Sequence, residues 1–284
     1  MEEIKLANTT LTYIPAQKTT PTQPAMVICP GGAYATLSPF EGEQIARYFA
    51  TRGFPSYVCH YSVGKQARLP APLLQLAEAV AKAHETNAFV AVCGFSAGGH
   101  LCALLSTCWR DAANALGLPH RDVRPDACVL GYPMTNVTLP MPLQPLQMFQ
   151  SVGGLQGVSS IPEYFRPALC HTPEGDRLDF RAMSLRNLLG TDTPDENALR
   201  SISPCLLVDQ DTPPAFVWTT FTDSLVPYEH SVQYAQALSA QGVCSALHVF
   251  SQGEHGEGLA ERNPESCLWP TLAENWLLSV SSHP

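Results

Sequence analysis

The sequence predicts an α/β fold: a doubly wound, mostly parallel sheet flanked by helices, with an inserted cap-like segment at about 135–211. Three observations carry that expectation. Short runs of apolar, β-branched or aromatic residues recur along the chain, each closed by turn residues. Helical patterns with recognisable starts and stops stand between those runs. Parallel strands need crossover connections, and alternating helices supply them.

Taken in order, the expected strands are Ala25 to Cys29, Ser56 to Tyr61, Phe89 to Cys93, Ala127 to Leu130, Ala215 to Thr220 and Ala246 to Phe250. The expected helices are Pro39 to Arg52, Pro72 to Glu85, Ala97 to Cys108, Pro227 to Ala240 and a last one around Glu265 to Leu278. The first helix carries a start signature in Ser38-Pro39-Phe40-Glu41, with Ser at the N-cap and Glu three residues on. Its buried face should be Ile45, Tyr48 and Phe49. The helix from Pro227 should stop at Gln241-Gly242, where glycine accepts the left-handed conformation of a C-cap. From Thr135 to Asp211 Pro and Gly are frequent, and only Arg181 to Leu189 reads clearly as helix. Loops that long are usually functional, so this stretch is expected to be an insertion over the strand ends, within one domain spanning 1–284.

Composition narrows the function classes. A chain of 284 residues that is 45% hydrophobic and 14% charged can bury a large core without external staples. The net charge of -9, without a Lys/Arg cluster, lacks the footprint a phosphate backbone requires, which argues against nucleic acid. No run approaches the roughly 20 apolar residues of a membrane span, and the start Met1-Glu2-Glu3-Ile4-Lys5 does not resemble a secretory signal. A soluble, cytoplasmic protein is expected. The 10 cysteines sit singly in apolar contexts, without a C-x-x-C pair or zinc-ligand spacing, and are expected to be reduced core residues rather than disulfides or metal ligands.

The chemistry is carried by Gly94-Phe95-Ser96-Ala97-Gly98, a G-x-S-x-G sequence placed where an expected strand meets an expected helix. Such a turn holds its serine in a strained conformation, and the glycines two positions either side keep strand and helix from colliding with it. The amide of Ala97, at a helix N-terminus, then faces any oxyanion that forms. A seryl hydroxyl needs a base, and the base needs a carboxylate to fix its tautomer. In this type of fold the three run Ser, then Asp or Glu, then His, the last two on loops after later strands. His255, in Gly253-Glu254-His255-Gly256, lies just past a strand end, whereas His248 falls inside a strand, His230 inside a helix and His283 in the tail. Asp223 follows the strand Ala215 to Thr220, while Asp209 and Asp211 precede it. The second half of an oxyanion hole is expected after the strand ending at Cys29, where Gly31 and Gly32 allow close backbone approach. Ser96, Asp223 and His255 are therefore the expected catalytic residues, with the amides of Gly31, Gly32 and Ala97 as candidate oxyanion donors. No cofactor or metal is called for.

Several motifs in order resemble small bacterial esterases related to acetylxylan and other carbohydrate acetylesterases, within the α/β-hydrolase superfamily. The resemblance rests on Cys29-Pro30-Gly31-Gly32-Ala33-Tyr34 with Glu41-Gly42-Glu43, on Gly94-Phe95-Ser96-Ala97-Gly98-Gly99-His100-Leu101, on Thr212-Pro213-Pro214-Ala215-Phe216, on Asp223 with Val226-Pro227, and on Gly253-Glu254-His255-Gly256. Ala33 stands where a third glycine is usual, which leaves open which two amides serve the hole, and the stretch from Met134 to about Phe180 has no counterpart. The resemblance implies hydrolysis of small acyl esters, including acetyl groups on sugars or xylo-oligosaccharides, with a small-molecule ester as the partner and no statement on oligomeric state. Two other readings stay open at this point. A serine peptidase of the prolyl-oligopeptidase type shares the chain order but usually carries an additional large domain. A non-catalytic member that binds a ligand would have no need of a strained serine.

Overall fold

The computed structural model describes residues 1–17, 23–146 and 161–282; His283 and part of the expected insertion lie outside them. In chain order the elements are β1 (Glu2–Lys5), β2 (Thr10–Ile14), β3 (Ala25–Cys29), α1 (Glu43–Thr51), β4 (Ser56–Cys59), α2 (Ala71–His84), β5 (Val90–Phe95), α3 (Ser96–Leu116), α4 (His120–Val123) and β6 (Ala127–Gly131). There follow β7 (Gln144–Pro145), β8 (Leu169–Thr172), β9 (Gly175–Leu178), α5 (Phe180–Leu189), α6 (Glu196–Ser201), β10 (Ala215–Thr220), α7 (Glu229–Ala240), β11 (Ser245–Phe250) and α8 (Trp269–Ser281).

Eight strands form the main sheet in the order β1-β2-β4-β3-β5-β6-β10-β11. From β4 to β11 all neighbours are parallel; β2 pairs antiparallel with β4 and with β1. The central strands are buried on both faces, which is why they read as continuous apolar runs. Alternation divides them between two cores. Val27, Val92, Leu130 and Val217 pack with Leu76, Leu101, Leu105 and Leu238, from α2, α3 and α7. Met26, Ile28, Cys93, Phe95 and Trp218 pack on the other face with Ile45 and Phe49 of α1 and Trp269 and Leu277 of α8. The winding is therefore double. The chain leaves β3 for β4 on one side and returns as β5 on the other, opening a crevice at the carboxyl ends of β3 and β5, where ligands bind in such sheets.

Two departures from the expected layout have physical causes. Ser38 is not the N-cap of the first helix: α1 begins at Glu43, after Gly42, with no side-chain cap bond. Glu41, which would complete a capping box, is instead turned inward at 2% exposure and bonded to distant backbone and side chain. The edge hairpin β1–β2 was not expected from the sequence either, because β1 is largely exposed and carries only Ile4 as an apolar signal.

Between β6 and β10 the chain builds a second, small sheet in the order β7-β9-β8. Its own apolar cluster gathers Ile161, Ala168, Leu178, Phe180 and Met183 against Ala35 of the loop after β3. Asp179 caps α5 by accepting from the Ala182 amide, and Asp195 caps α6 through Ala198. Among the described residues no helix is long and apolar enough to cross a membrane.

Candidate active site

β5 runs into α3 without a loop. Phe95 is extended, and the next residue, Ser96, takes φ +51, a region that residues with a side chain rarely visit. Bare backbone makes the crossing possible. A Cβ on Gly98 would lie 2.1 Å from the Cys29 carbonyl oxygen, and one on Gly94 would lie 2.3 Å from that of Gly98. The turn raises Ser96, half-buried, at the carboxyl edge of the sheet.

The structure brings Ser96, His255 and Asp223 together. His255 Nε2 lies 2.9 Å from Ser96 Oγ, and Nδ1 lies 2.8 Å from Asp223 Oδ2. With the Nδ1 proton donated to the carboxylate, Nε2 is left to accept the seryl proton. The other oxygen of Asp223 accepts the amides of Leu225 and Val226, each at 2.9 Å, so the carboxylate is locked by its own turn after β10. Burial works against protonation of His255, but the charge and hydrogen bond of Asp223, with the field of Glu41, outweigh it and raise its pKa above the usual 6.5. Tyr132, at the end of β6, tilts its ring against the imidazole with centroids 4.8 Å apart.

On the oxyanion side the assignment of Gly31 is corrected. Its single N–H already donates to Glu41 Oε2 at 2.8 Å and cannot also face an oxyanion. Among the described residues the N–H groups of Gly32 and Ala33 have no acceptor, and that of Ala97 lies in the first turn of α3, where no carbonyl of the helix reaches it. Ala33 also shares a cavity with the serine. Together with Ser96, Ala97, Met134, Met141, Phe180, Ser184, Leu225 and Val226 it lines a cavity of about 20 Å³, room for roughly one water molecule.

Three features of this site escaped the sequence reading. Glu41 had the signature of a helix start, Tyr132 followed a strand without any motif, and the cavity walls Met141, Phe180 and Ser184 come from the segment with the weakest pattern. The presence of Glu41 beside the Gly31-Gly32 pair in the quoted motifs was the one signal that could have exposed it. Elsewhere, His100 is fully buried between the Tyr34 hydroxyl and the Ile202 carbonyl, and Asp209 and Asp211 pair with Arg110 away from the histidine.

A profile of a family with the α/β-hydrolase fold matches residues 26–258. Among curated proteins the chain is 29% identical over 243 residues to the endo-1,4-beta-xylanase B of Butyrivibrio fibrisolvens, a match that takes in 81% of this chain and 32% of that protein's length. Among solved structures it is similar to an acetyl ester-xyloside bifunctional hydrolase from Caldicellulosiruptor lactoaceticus, with a TM-score of 0.70 and 28% identity over 96% of this chain and 88% of the other. A carboxylesterase from Lactobacillus plantarum shares the fold, with a TM-score of 0.68 and 24% identity over 98% of this chain and 96% of the other.

Proposed function

The chain belongs to the α/β-hydrolase-fold family, and from that premise we propose that it is a serine carboxylic-ester hydrolase that removes small acyl groups, acetyl above all, from acetylated sugars or xylo-oligosaccharides. The observation that carries the reading is the unbroken hydrogen-bond chain from Ser96 through His255 to Asp223, ending on a serine held at φ +51. In the proposed reaction Ser96 Oγ attacks the ester carbonyl while His255 Nε2 takes its proton. The tetrahedral oxyanion is held by the amides of Ala97 and of Gly32 or Ala33, and His255 returns the proton to the departing alcohol. Water, activated by the same histidine, then releases the acid from the acyl-enzyme.

The acetyl preference is supported by the small cavity beside Ser96, about 20 Å³ and walled by Met141, Phe180 and Leu225, which favours a short acyl group over a long one. The sugar as alcohol part is supported by the similarity to the acetyl ester-xyloside hydrolase. We read 1–284 as one domain, with the segment at about 135–211 as a cap, because α5 supplies Phe180 and Ser184 to the cavity wall. The 10 cysteines stand as thiols, which suits the cytoplasm.

Hydrolysis of p-nitrophenyl acetate, butyrate and octanoate by the protein beside Ser96→Ala, with acetate release from acetylated xylo-oligosaccharides in parallel, tests the reading. The expected result is rapid acetate turnover that the mutant lacks. A folded wild type as inert as the mutant on every ester would reject it.

A further inference from the structure

Glu41 has no part in the reaction described above, yet it is 2% exposed and both of its oxygens are engaged. Oε2 accepts the Gly31 N–H at 2.8 Å, and Oε1 accepts the Tyr132 hydroxyl at 2.6 Å. Tyr132 is itself buried, and its hydroxyl accepts the Gly258 amide at 3.1 Å. One carboxylate thus ties together three segments: the loop after β3, the end of β6 and the loop that carries His255. Removing a carboxylate from water is costly, and a hydrocarbon side chain would fill the space without that cost. The contribution of the charge lies in what it holds.

We propose that Glu41 is a positioning residue for the ester hydrolysis, its carboxylate fixing the oxyanion loop through Gly31 and the histidine loop through Tyr132 and Gly258, and placing a second negative charge behind the imidazolium. The inference rests on the esterase reading given above.

Two independent strands of physics meet here. The first is conformational. Gly32, Ala33 and Tyr34 take φ of +122, +54 and +55, three successive positive values, two of them on residues that bear side chains. Such a backbone persists only where its surroundings over-determine it. The Glu41 bond holds the residue just before this stretch and occupies the one N–H that would otherwise compete for the oxyanion. A Cβ on Gly31 would lie 2.7 Å from Glu41 Oε2 and 3.0 Å from Ser96 Cβ, so the carboxylate clamps the loop directly against the nucleophile turn.

The second is electrostatic. His255 gains charge as the serine attacks. The groups facing it are Asp223 from the turn after β10, Ser96 from the β5–α3 turn, the Tyr132 ring, and Glu41 behind that ring's hydroxyl. On its own loop, Glu257 is directed to the Glu254 amide and the Ser266 hydroxyl. Glu41 works in the same direction as Asp223, against burial, in keeping the imidazole basic.

Three variants separate these roles. Glu41→Gln keeps the size, can still accept from Gly31 and can donate to the Tyr132 oxygen, but removes the charge. Tyr132→Phe keeps the charge and cuts the link to Gly258. Glu41→Ala removes everything. For each, folding by circular dichroism, kcat and KM for p-nitrophenyl acetate, the pH profile of kcat/KM, and the rate at which an organophosphonate labels Ser96 are measured. For Glu41→Ala the expected result is a loss in kcat of about 10²-fold with KM nearly unchanged, the scale of a small misplacement of reacting groups. For Glu41→Gln it is a smaller loss in kcat and an acid limb moved to lower pH, since an imidazolium without that charge gives up its proton sooner. Tyr132→Phe should lower kcat and leave the acid limb close to that of the wild type.

Should Glu41→Ala fail to fold, Glu41→Gln decides. A folded Glu41→Gln with the wild-type kcat and acid limb overturns the inference. The labelling rate keeps the two readings apart: a wild type that is labelled but hydrolyses no ester rejects the esterase reading alone, and equal labelling of wild type, Glu41→Ala and Glu41→Gln rejects the role of Glu41.

Discussion

Asp223 makes three hydrogen bonds with two oxygens: two amides of its own turn on Oδ1 and the His255 Nδ1 proton on Oδ2. Asn at this position can still accept from the turn, so the fold should survive, but its amide presents a donor to Nδ1 and favours the wrong tautomer. Asp223→Asn is therefore expected to retain its circular dichroism while kcat for p-nitrophenyl acetate falls by about 10⁴ at neutral pH. The pH dependence follows from the same contact. His255 must be neutral to act as a base and its pKa is raised, so kcat/KM should climb with pH through a midpoint above 6.5. A midpoint at or below 6.5 in the rate profile would contradict the electrostatic account. The three residues of the hydrogen-bond chain were legible because turn chemistry and chain order constrain them. Glu41 was not, since its partners lie 10 and 91 residues away and its local sequence matches a helix start.

At the scale of elements, the contact of β3 with α3 depends on a single hydrogen atom, on Gly98, standing where a side chain would be. Because the atoms a Cβ on Gly98 would meet are the backbone of Cys29 and Pro30, no rotamer change relieves the clash. Gly98→Ala should lower the urea midpoint by the equivalent of about 3 kcal/mol, at the upper end of overpacking costs, or prevent folding. The cap makes a prediction of the opposite kind. Phe180 lines the cavity beside Ser96 from α5, and on the proposed acyl role of that cavity Phe180→Ala should raise the butyrate-to-acetate ratio of kcat/KM by about tenfold, the worth of a methylene newly accommodated. An unchanged ratio would separate this cavity from the acyl group. Legibility divides along the same line. The five buried parallel strands announce themselves as apolar runs, whereas β7 has two residues and β8–β9 is a short hairpin with polar positions, turning at Gly175 with φ +112. Their apolar cluster is assembled from residues scattered between Ala35 and Met183, so no local periodicity reports it.

For the whole molecule, buried histidines set the response to acid. His100 and His230 have their pKa lowered to about 4 by burial, and burial also lowers those of His60 and His248. The unfolded chain binds these protons near 6.5, so above that pH their contribution is neutral, and between 6.5 and 4 the unfolded state takes up protons the folded state refuses. His255 acts in reverse: its raised pKa adds stability at low pH that disappears as pH rises through the folded value. The two fully buried histidines, lowered to about 4, outweigh the one raised group. The urea midpoint should fall by the equivalent of a few kcal/mol from pH 7 to pH 5, and a flat midpoint across that range would refute the balance.

The indoles of Trp218 and Trp269 stack with centroids 5.1 Å apart and an interplanar angle of 12°, while the Trp269 N–H donates to the Gly258 carbonyl at 2.9 Å. Gly258 belongs to the loop that carries His255. Two chromophores held this close share their excited states, so the pair forms a natural optical gauge of whether the carboxyl-terminal helix is seated beneath the histidine. Its far-ultraviolet exciton couplet in circular dichroism should vanish in Trp269→Phe and should fade in the wild type whenever that seating loosens, turning the state of the site into a signal that needs no substrate.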